Sequence, residues 1–540
     1  MTTPDRIILA DTVHTLNSAR TPPAQAIAIS GGRIAALLGT RDDAASWGGP
    51  GTDILDLGRA TIVPGLVDGH SHPVFGLDIT AGVDLSGLQD LGEVRRRLAA
   101  EAARLGPGEW VRAWGLDPNA FDGAPVTSAA IDDVLGGRPG FVRLFDGHSA
   151  LASSRALELA GIDGPRQFEG AASIVCDGDG RPNGLLLEFH AVDLVARCLP
   201  EESFEQRRDR LAEVLEGFGA AGLTGAHVMD HSDESAALYR ALEERGELPV
   251  RLRCAPWCQP GTGPEDWAEL AASVGAGGRR WEVAGIKLFI DGTVDNGTAW
   301  LYEPDTRGES RHPFWPDPVE YASAVAYFAE RGIPTATHAI GDAGVGYVLD
   351  ALLALEPAVR SRAVHRIEHL ETVPDELVAR FADSGLVASM QPTHCTHYSR
   401  ADQSDNWSVR LGPVRAGRAW RCRDLLEQGR TLVLGSDWPI APYPPLPIIA
   451  DAQLRRRAGV SEEPIIPSQA LTARQAIEGY TSHAAHAAGA WADSGSITVG
   501  KRADLTFLEL DPLTTDPDQL AESAALGTAI DGEVRLSVRV

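Results

Sequence analysis

At 540 residues the chain is too long for one simple core and calls for two to four domains, or one large α/β barrel with additions. Its 44% apolar and 23% charged content is that of a globular protein, and a net charge of −27 excludes a nucleic-acid-binding surface, which needs clustered Lys and Arg. No apolar run reaches the roughly 18 residues of a membrane span. Residues 1–6 lack the pattern of a signal peptide, and six scattered cysteines (Cys176, Cys198, Cys254, Cys258, Cys395, Cys422) suit reduced thiols, so a cytoplasmic location is expected.

Residues 6 to about 62 read as short strands at 7–10, 26–29 and 33–37, the last two joined by Gly31-Gly32, a hairpin signal. The far C-terminus has the same texture, with two strands around the Gly500-Lys501 turn and a last strand at 534–540 after Gly532. Neither end holds enough strands for a stable sheet, so both are expected to join in one small β-domain.

The next stretch, Val63-Pro64-Gly65-Leu66-Val67-Asp68-Gly69-His70-Ser71-His72-Pro73, is a short apolar strand ending on two histidines. Side chains alternate faces along a strand, so His70 and His72 project together and Pro73 stops further pairing. Two converging imidazoles make half of a first-row metal site. Residues 74 to about 215 then depart from simple alternation and read as an insertion, part helix and part strand, leaning over a barrel mouth.

Beyond it a unit of helix, glycine and strand repeats. A helix at 207–218 carries the stripe Leu211, Val214, Leu215, Phe218 and leads through Gly219 to Gly222 into a strand at 223–228. Copies follow at 321–331, Gly332 and 333–338, at 375–383, Gly385 and 386–391, and at 423–428, Gly429 and 431–437. This spacing implies βαβ units, a parallel sheet and the α/β class. Strands that finish on metal-competent side chains favour a (β/α)8 TIM-like barrel over residues 63–485. The competing doubly wound sheet needs a glycine-rich nucleotide loop, and none has the spacing.

Four further elements bear on the site begun by His70 and His72. The strand at 285–292 carries Lys287 in its middle, where a charged amine is costly. Burial lowers a lysine's pKa, and a neutral amine can add carbon dioxide to become a carbamate, an anionic ligand able to bridge two ions. The alternative is a lysine that snorkels or pairs with Asp291. His338 ends the strand at 333–338, and His369 ends 364–369, where positions 365, 367 and 369 share a face. Asp437 ends 431–437. Each alone suits a cap or a turn, but the whole set at strand ends is hard to assign to packing. His70 and His72 with Asp437 suit one metal ion, His338 and His369 a second, and a carbamylated Lys287 would bridge them.

The Pro-Gly-x-x-Asp-x-His-x-His opening, the later Lys, His, His and Asp in this order, and the closing Gly-Ser-Ile-x-x-Gly-Lys-x-Ala-Asp-Leu at 495–505 resemble the amidohydrolase superfamily. The segments at 287–292, His338-Ala339-Ile340-Gly341-Asp342, Ile367-Glu368-His369 and Gln391-Pro392-Thr393-His394 are similar to its amidohydrolase-3 branch, which includes N-substituted formamide deformylases. The resemblance implies a barrel with a β-sandwich built from both termini, residues 1–62 and 486–540. It also implies two divalent ions, zinc foremost with manganese, iron or cobalt as alternatives. The implied reaction is hydrolysis of a non-peptide C–N bond in a small, partly apolar substrate, an N-substituted formamide or an N-acyl amine. A water ionised between the metals would attack the carbonyl, and Asp437 would carry its proton to the departing nitrogen. His148 and His394 are candidates, by resemblance, for the electrophile that the carbonyl oxygen needs. Trp114, Phe145, Phe189, Trp300, Trp438 and Tyr443 fall near predicted loops at the mouth, where aromatics line small-molecule pockets, core packing being the alternative. The expected partners are a small-molecule amide and a second copy in a homodimer, with no nucleic acid and no membrane. Two other readings are a cyclic amidase or deaminase of the same superfamily, and a non-catalytic regulatory or binding protein on the same barrel.

Overall fold

The computed structural model describes residues 3–17, 23–168, 172–382, 384–428 and 431–537. Asp383, Gly429 and the last three residues of the strand expected at 534–540 lie outside them. Strands from the two ends of the chain pair into one eight-stranded sheet. Its order is Glu533–Leu536, Ala525–Ile530, Leu505–Leu508, Thr61–Pro64, Arg6–Val13, Ala24–Ser30 and Arg33–Leu38, with Asp53–Asp56 also paired to Arg6–Val13. The Gly31-Gly32 hairpin forms as expected, with Ser30 opposite Arg33 and both glycines at positive φ. Leu505–Leu508 runs antiparallel to Thr61–Pro64, so Phe507 and Ile62 from distant parts of the chain share one core.

The middle of the chain forms parallel sheets. Strands β1 (Leu66–Ser71), β2 (Leu223–Val228) and β3 (Arg251–Cys254) make one with the short strand Trp281–Val283. Strands β4 (Ile286–Phe289), β5 (Thr335–Ala339), β6 (Arg366–His369), β7 (Val387–Met390) and β8 (Leu432–Leu434) make the other, in chain order. The margins of the two sheets are joined by backbone hydrogen bonds. Asp437 N–H donates to the His70 carbonyl at 2.8 Å and His72 N–H to the Trp438 carbonyl at 2.9 Å. On the other side, Lys287 N–H donates to the Pro256 carbonyl at 2.9 Å. The helix Phe204–Ala220 buries Leu211, Leu215 and Phe218, and Ser203 with Gln206 closes a capping box at its start. Gly222, Gly332 and Gly385 follow their helices at positive φ, the left-handed stop that the sequence signalled.

Between β1 and the helix Phe204–Ala220 stands a six-stranded sheet made from residues 83–187. The helix Leu91–Arg104 covers it with Val94, Leu98 and Ala102. All six cysteines are unpaired, and no helix among the described residues is long and apolar enough to cross a membrane.

Candidate metal centre

The site is assembled where β1 and β8 end side by side. Asp68, wholly buried, accepts hydrogen bonds from His70 N–H at 3.0 Å, from Ser436 N–H at 3.0 Å and from Ser436 Oγ at 2.6 Å, tying the two strand ends together. Burial raises its pKa to about 6. Gly69 and Gly435 let the backbones approach this closely, since a Cβ at Gly435 would lie 2.6 Å from His70 N and one at Gly69 would overlap Val433.

His70 Nε2 is 3.3 Å from His72 Nε2 and 3.2 Å from Lys287 Nζ. Asp437 Oδ1 lies 3.4 Å from His70 Nε2 and 3.2 Å from His72 Nε2, while Oδ2 lies 3.6 Å from His394 Nε2. His70, His369 and Asp437 each offer a ligand atom, all within 4.8 Å of one another. The His338 ring packs on His369 at 4.4 Å between centroids, with its Nε2 also 3.2 Å from the Gly292 carbonyl. The six residues singled out from the sequence as ligands therefore converge on one place.

Their protonation suits metal binding. Burial, reinforced by Lys287 at His70 and by His338 at His369, drives both imidazoles well below the usual histidine range, and burial does the same to His338. Burial opposes ionisation of Asp437, but His70 and His72 hold its carboxyl well below the usual range. Burial lowers the Lys287 pKa to about 8, which brings the neutral amine within reach of ordinary pH. Asp437 Oδ1, His72 Nδ1 and His394 Nε2 are buried without hydrogen-bond partners. Neutral imidazoles, an ionised carboxylate and orphaned buried donor atoms together fit a divalent first-row ion.

A further set of residues orients the imidazoles. Glu368 Oε2 is 2.6 Å from His70 Nδ1, and Arg366 binds Glu368 at 2.9 Å while also donating to the Gly69 carbonyl at 2.6 Å. Gln391 Oε1 is 2.9 Å from His369 Nδ1. Such contacts fix ring orientation and leave the other nitrogen for a metal. One expectation fails here. Positions 365, 367 and 369 do not share a face: His365 points outward with its Nδ1 2.9 Å from Thr335 Oγ1, and Arg366 and Glu368 point inward. His369 reaches the site because its backbone takes φ +74, which breaks the alternation.

The cluster forms part of the lining of a cavity, with Phe145, His148 and His394 also on its wall. Trp114, Trp300 and Trp438 do not reach it. Trp438 packs on Phe218 at 6.0 Å and Trp300 on Tyr347 at 5.4 Å, while Trp114 lies in the six-stranded sheet opposite Asp84. Trp300 and Trp438 serve packing, as does Tyr443, whose ring centroid lies 4.7 Å from that of Phe218. The apolar wall is Phe189, named from the sequence, together with Phe75, Trp257 and Phe289, with neighbouring ring centroids 5.1–6.3 Å apart. Phe289 was findable, being two residues beyond Lys287 and so on its face.

The model of the amidohydrolase family matches residues 53–536. The chain is 28% identical to an N-substituted formamide deformylase of Arthrobacter pascens, over 98% of each chain. It is also 28% identical to the protein LONG AFTER FAR-RED 3 of Arabidopsis thaliana, over 93% of this chain and 87% of the other. A metal-dependent hydrolase from Pyrococcus horikoshii has the same fold, with a TM-score of 0.70 at 23% identity, covering 95% of this chain and 99% of the other.

Proposed function

Because the chain belongs to the amidohydrolase family, and is thereby a metal-dependent hydrolase of C–N bonds other than peptide bonds, we propose that it cleaves the amide of a small, partly apolar N-substituted formamide or N-acyl amine. The observation that carries this reading is one cavity with the neutral imidazoles of His338 and His369, Lys287 and ionised Asp437 on one side and four aromatic rings on another. An apolar substituent suits the rings, and the polar amide suits the other wall. The formyl group is taken from the Arthrobacter relative.

In this reading β1 to β8 are the eight strands of a (β/α)8 barrel over residues 63–485, supported by the hydrogen bonds that join the margins of its two sheets. Residues 1–62 and 486–540 form the flanking β-sandwich, and about 74–215 the insertion. The six unpaired cysteines accord with a cytoplasmic location.

His70, His72, His338, His369 and Asp437 would hold up to two divalent ions, zinc foremost, with Lys287 as a carbamate between them. Bound there, the metal supplies Lewis acidity and lowers the pKa of water to about 7. Asp437 takes the proton from the attacking water and passes it to the nitrogen as the C–N bond breaks, giving a carboxylic acid and an amine. Glu368 and Gln391 keep the imidazoles in place. The aromatic wall holds the apolar substituent and excludes bulk water.

The test is a panel of N-formyl and N-acyl amines offered to zinc-loaded protein, with amine release as the readout and metal counted per chain. Release from linear amides, abolished in Asp437→Asn with metal retained, supports the proposal. Turnover only of cyclic amides or amino-heterocycles transfers the assignment to the cyclic amidase or deaminase reading. Absence of any turnover by the metal-loaded chain favours the non-catalytic one.

A further inference from the structure

Glu188 sits at the turn between strand Pro182–Leu187 and helix Phe189–Ala196, outside the strands that carry the ligand candidates yet against His148 on the cavity wall.

 It is 1% exposed, and its backbone takes φ +62, a left-handed conformation that costs a non-glycine residue free energy. A buried carboxylate is expensive to keep unless a cation or a task retains it. Its Oε2 is 3.1 Å from His148 Nδ1, and its Oε1 is buried without a hydrogen-bond partner. A Cβ at Gly292 would collide with Oε1, so glycine there lets the carboxylate close against the loop that follows β4.

His148 is held from several sides. Its backbone N–H donates to Asp146 Oδ1 at 3.2 Å, and its ring packs on Phe189 at 4.6 Å and stands 5.5 Å from the His338 ring. With Nδ1 engaged by Glu188, the remaining nitrogen Nε2 has no protein partner among the described residues, and the ring lines the cavity beside Lys287, His338 and Asp437.

We propose that Glu188 is a positioning residue: its carboxylate accepts the Nδ1–H of His148 and so holds the Nε2 edge of the ring towards the cavity, where the substrate's carbonyl oxygen lies. A ring held in this way needs no reorientation as this oxygen gains charge, which is where a preorganised polar group acts. The segment inserted after β1 thereby supplies a working part of the site. The inference rests on the amide-hydrolysis reading for its consequence in rate, and on His148 alone for its geometry.

Four zinc-loaded variants test it: Glu188→Gln, Glu188→Asp, His148→Gln and the double Glu188→Gln/His148→Gln. With the best amide of the panel, Glu188→Gln is expected to lower kcat about a hundredfold, in the range for losing an oxyanion donor, with KM and metal content little changed. Glu188→Asp should recover part of the loss, and the double variant should be no slower than His148→Gln, because residues acting as one unit are not additive. Additive losses would overturn the proposal. Selective 15N-histidine labelling gives a readout that needs no substrate, with His148 assigned by its absence in His148→Gln. The Nδ1–H resonance of His148 should shift or vanish in Glu188→Gln while those of the other histidines stay, and an unchanged resonance would also overturn it. If no amide is hydrolysed, the amide reading falls, and the histidine spectrum still decides whether Glu188 positions His148.

Discussion

Lys287 shows how one side chain can be read twice. In the sequence it is a charge in an apolar strand; in the fold it is wholly buried, with Nζ 3.2 Å from His70 Nε2. Burial brings its pKa to about 8, so at neutral pH a usable fraction of neutral amine can add carbon dioxide. Metal-free protein reloaded with zinc is therefore expected to regain activity faster in bicarbonate than in buffer stripped of carbon dioxide, and Lys287→Met to bind less zinc in either. Equal recovery in both buffers, measured by amine release, would remove the carbamate from the proposal. Glu368 carries a different expectation. Glu368→Gln leaves Arg366 buried without its counter-charge and His70 without its anchor, so zinc affinity should fall about 10–100-fold in a chelator competition. Loss of a buried pair also costs about 3–5 kcal/mol, so the melting temperature should drop as well. The ligand candidates were legible because strand alternation and strand ends are local signals. Glu368 and Glu188 were not, because each acts on a histidine about 300 or 40 residues away in the chain, and no local pattern encodes such a pairing.

At the scale of elements, the helix–glycine–strand repeat was the most legible feature, since amphipathic stripes and left-handed caps are both written in a few adjacent residues. Strand ends were less so. The run expected at 431–437 is regular only over Leu432–Leu434, and Asp437 turns into the site at φ +59. Two glycines separate what a cap does from what a close approach does. Gly385 has φ +75 and open space around its Cβ position, so Gly385→Ala should cost only the left-handed penalty, about 1–2 kcal/mol, with kcat unchanged. Gly435→Ala places a methyl 2.6 Å from His70 N and against Asp68, on the joint that holds both strand ends. It should separate His70 from Asp437 and lower zinc stoichiometry as well as stability. Full zinc content in Gly435→Ala, measured by elemental analysis, would show that the joint is not needed for the site.

Across the whole molecule, the joining of both termini was legible because neither end has enough strands alone, whereas the arrangement of the six-stranded sheet was not, its pairings having no local signature. The terminal sheet also holds the opposite end of the parallel strands from the metal cluster. Thr506 Oγ1 accepts a hydrogen bond from Leu66 N–H at 3.0 Å, at the start of β1, and donates to the Gly222 carbonyl at 2.8 Å, just before β2. One buried hydroxyl thus ties three distant segments at their base. Thr506→Val keeps the shape and removes the hydroxyl, leaving a buried N–H and a buried carbonyl each short of a partner, at about 1–3 kcal/mol per group. The same groups lie at the N-terminal ends of the strands, where a barrel keeps stability and not chemistry. Thr506→Val should therefore melt several degrees lower by calorimetry and still bind zinc and turn over substrate at the wild-type kcat. A fall in kcat at a temperature where the variant is fully folded would mean that the base and the mouth are coupled, and that the terminal sheet does more than hold the strands together.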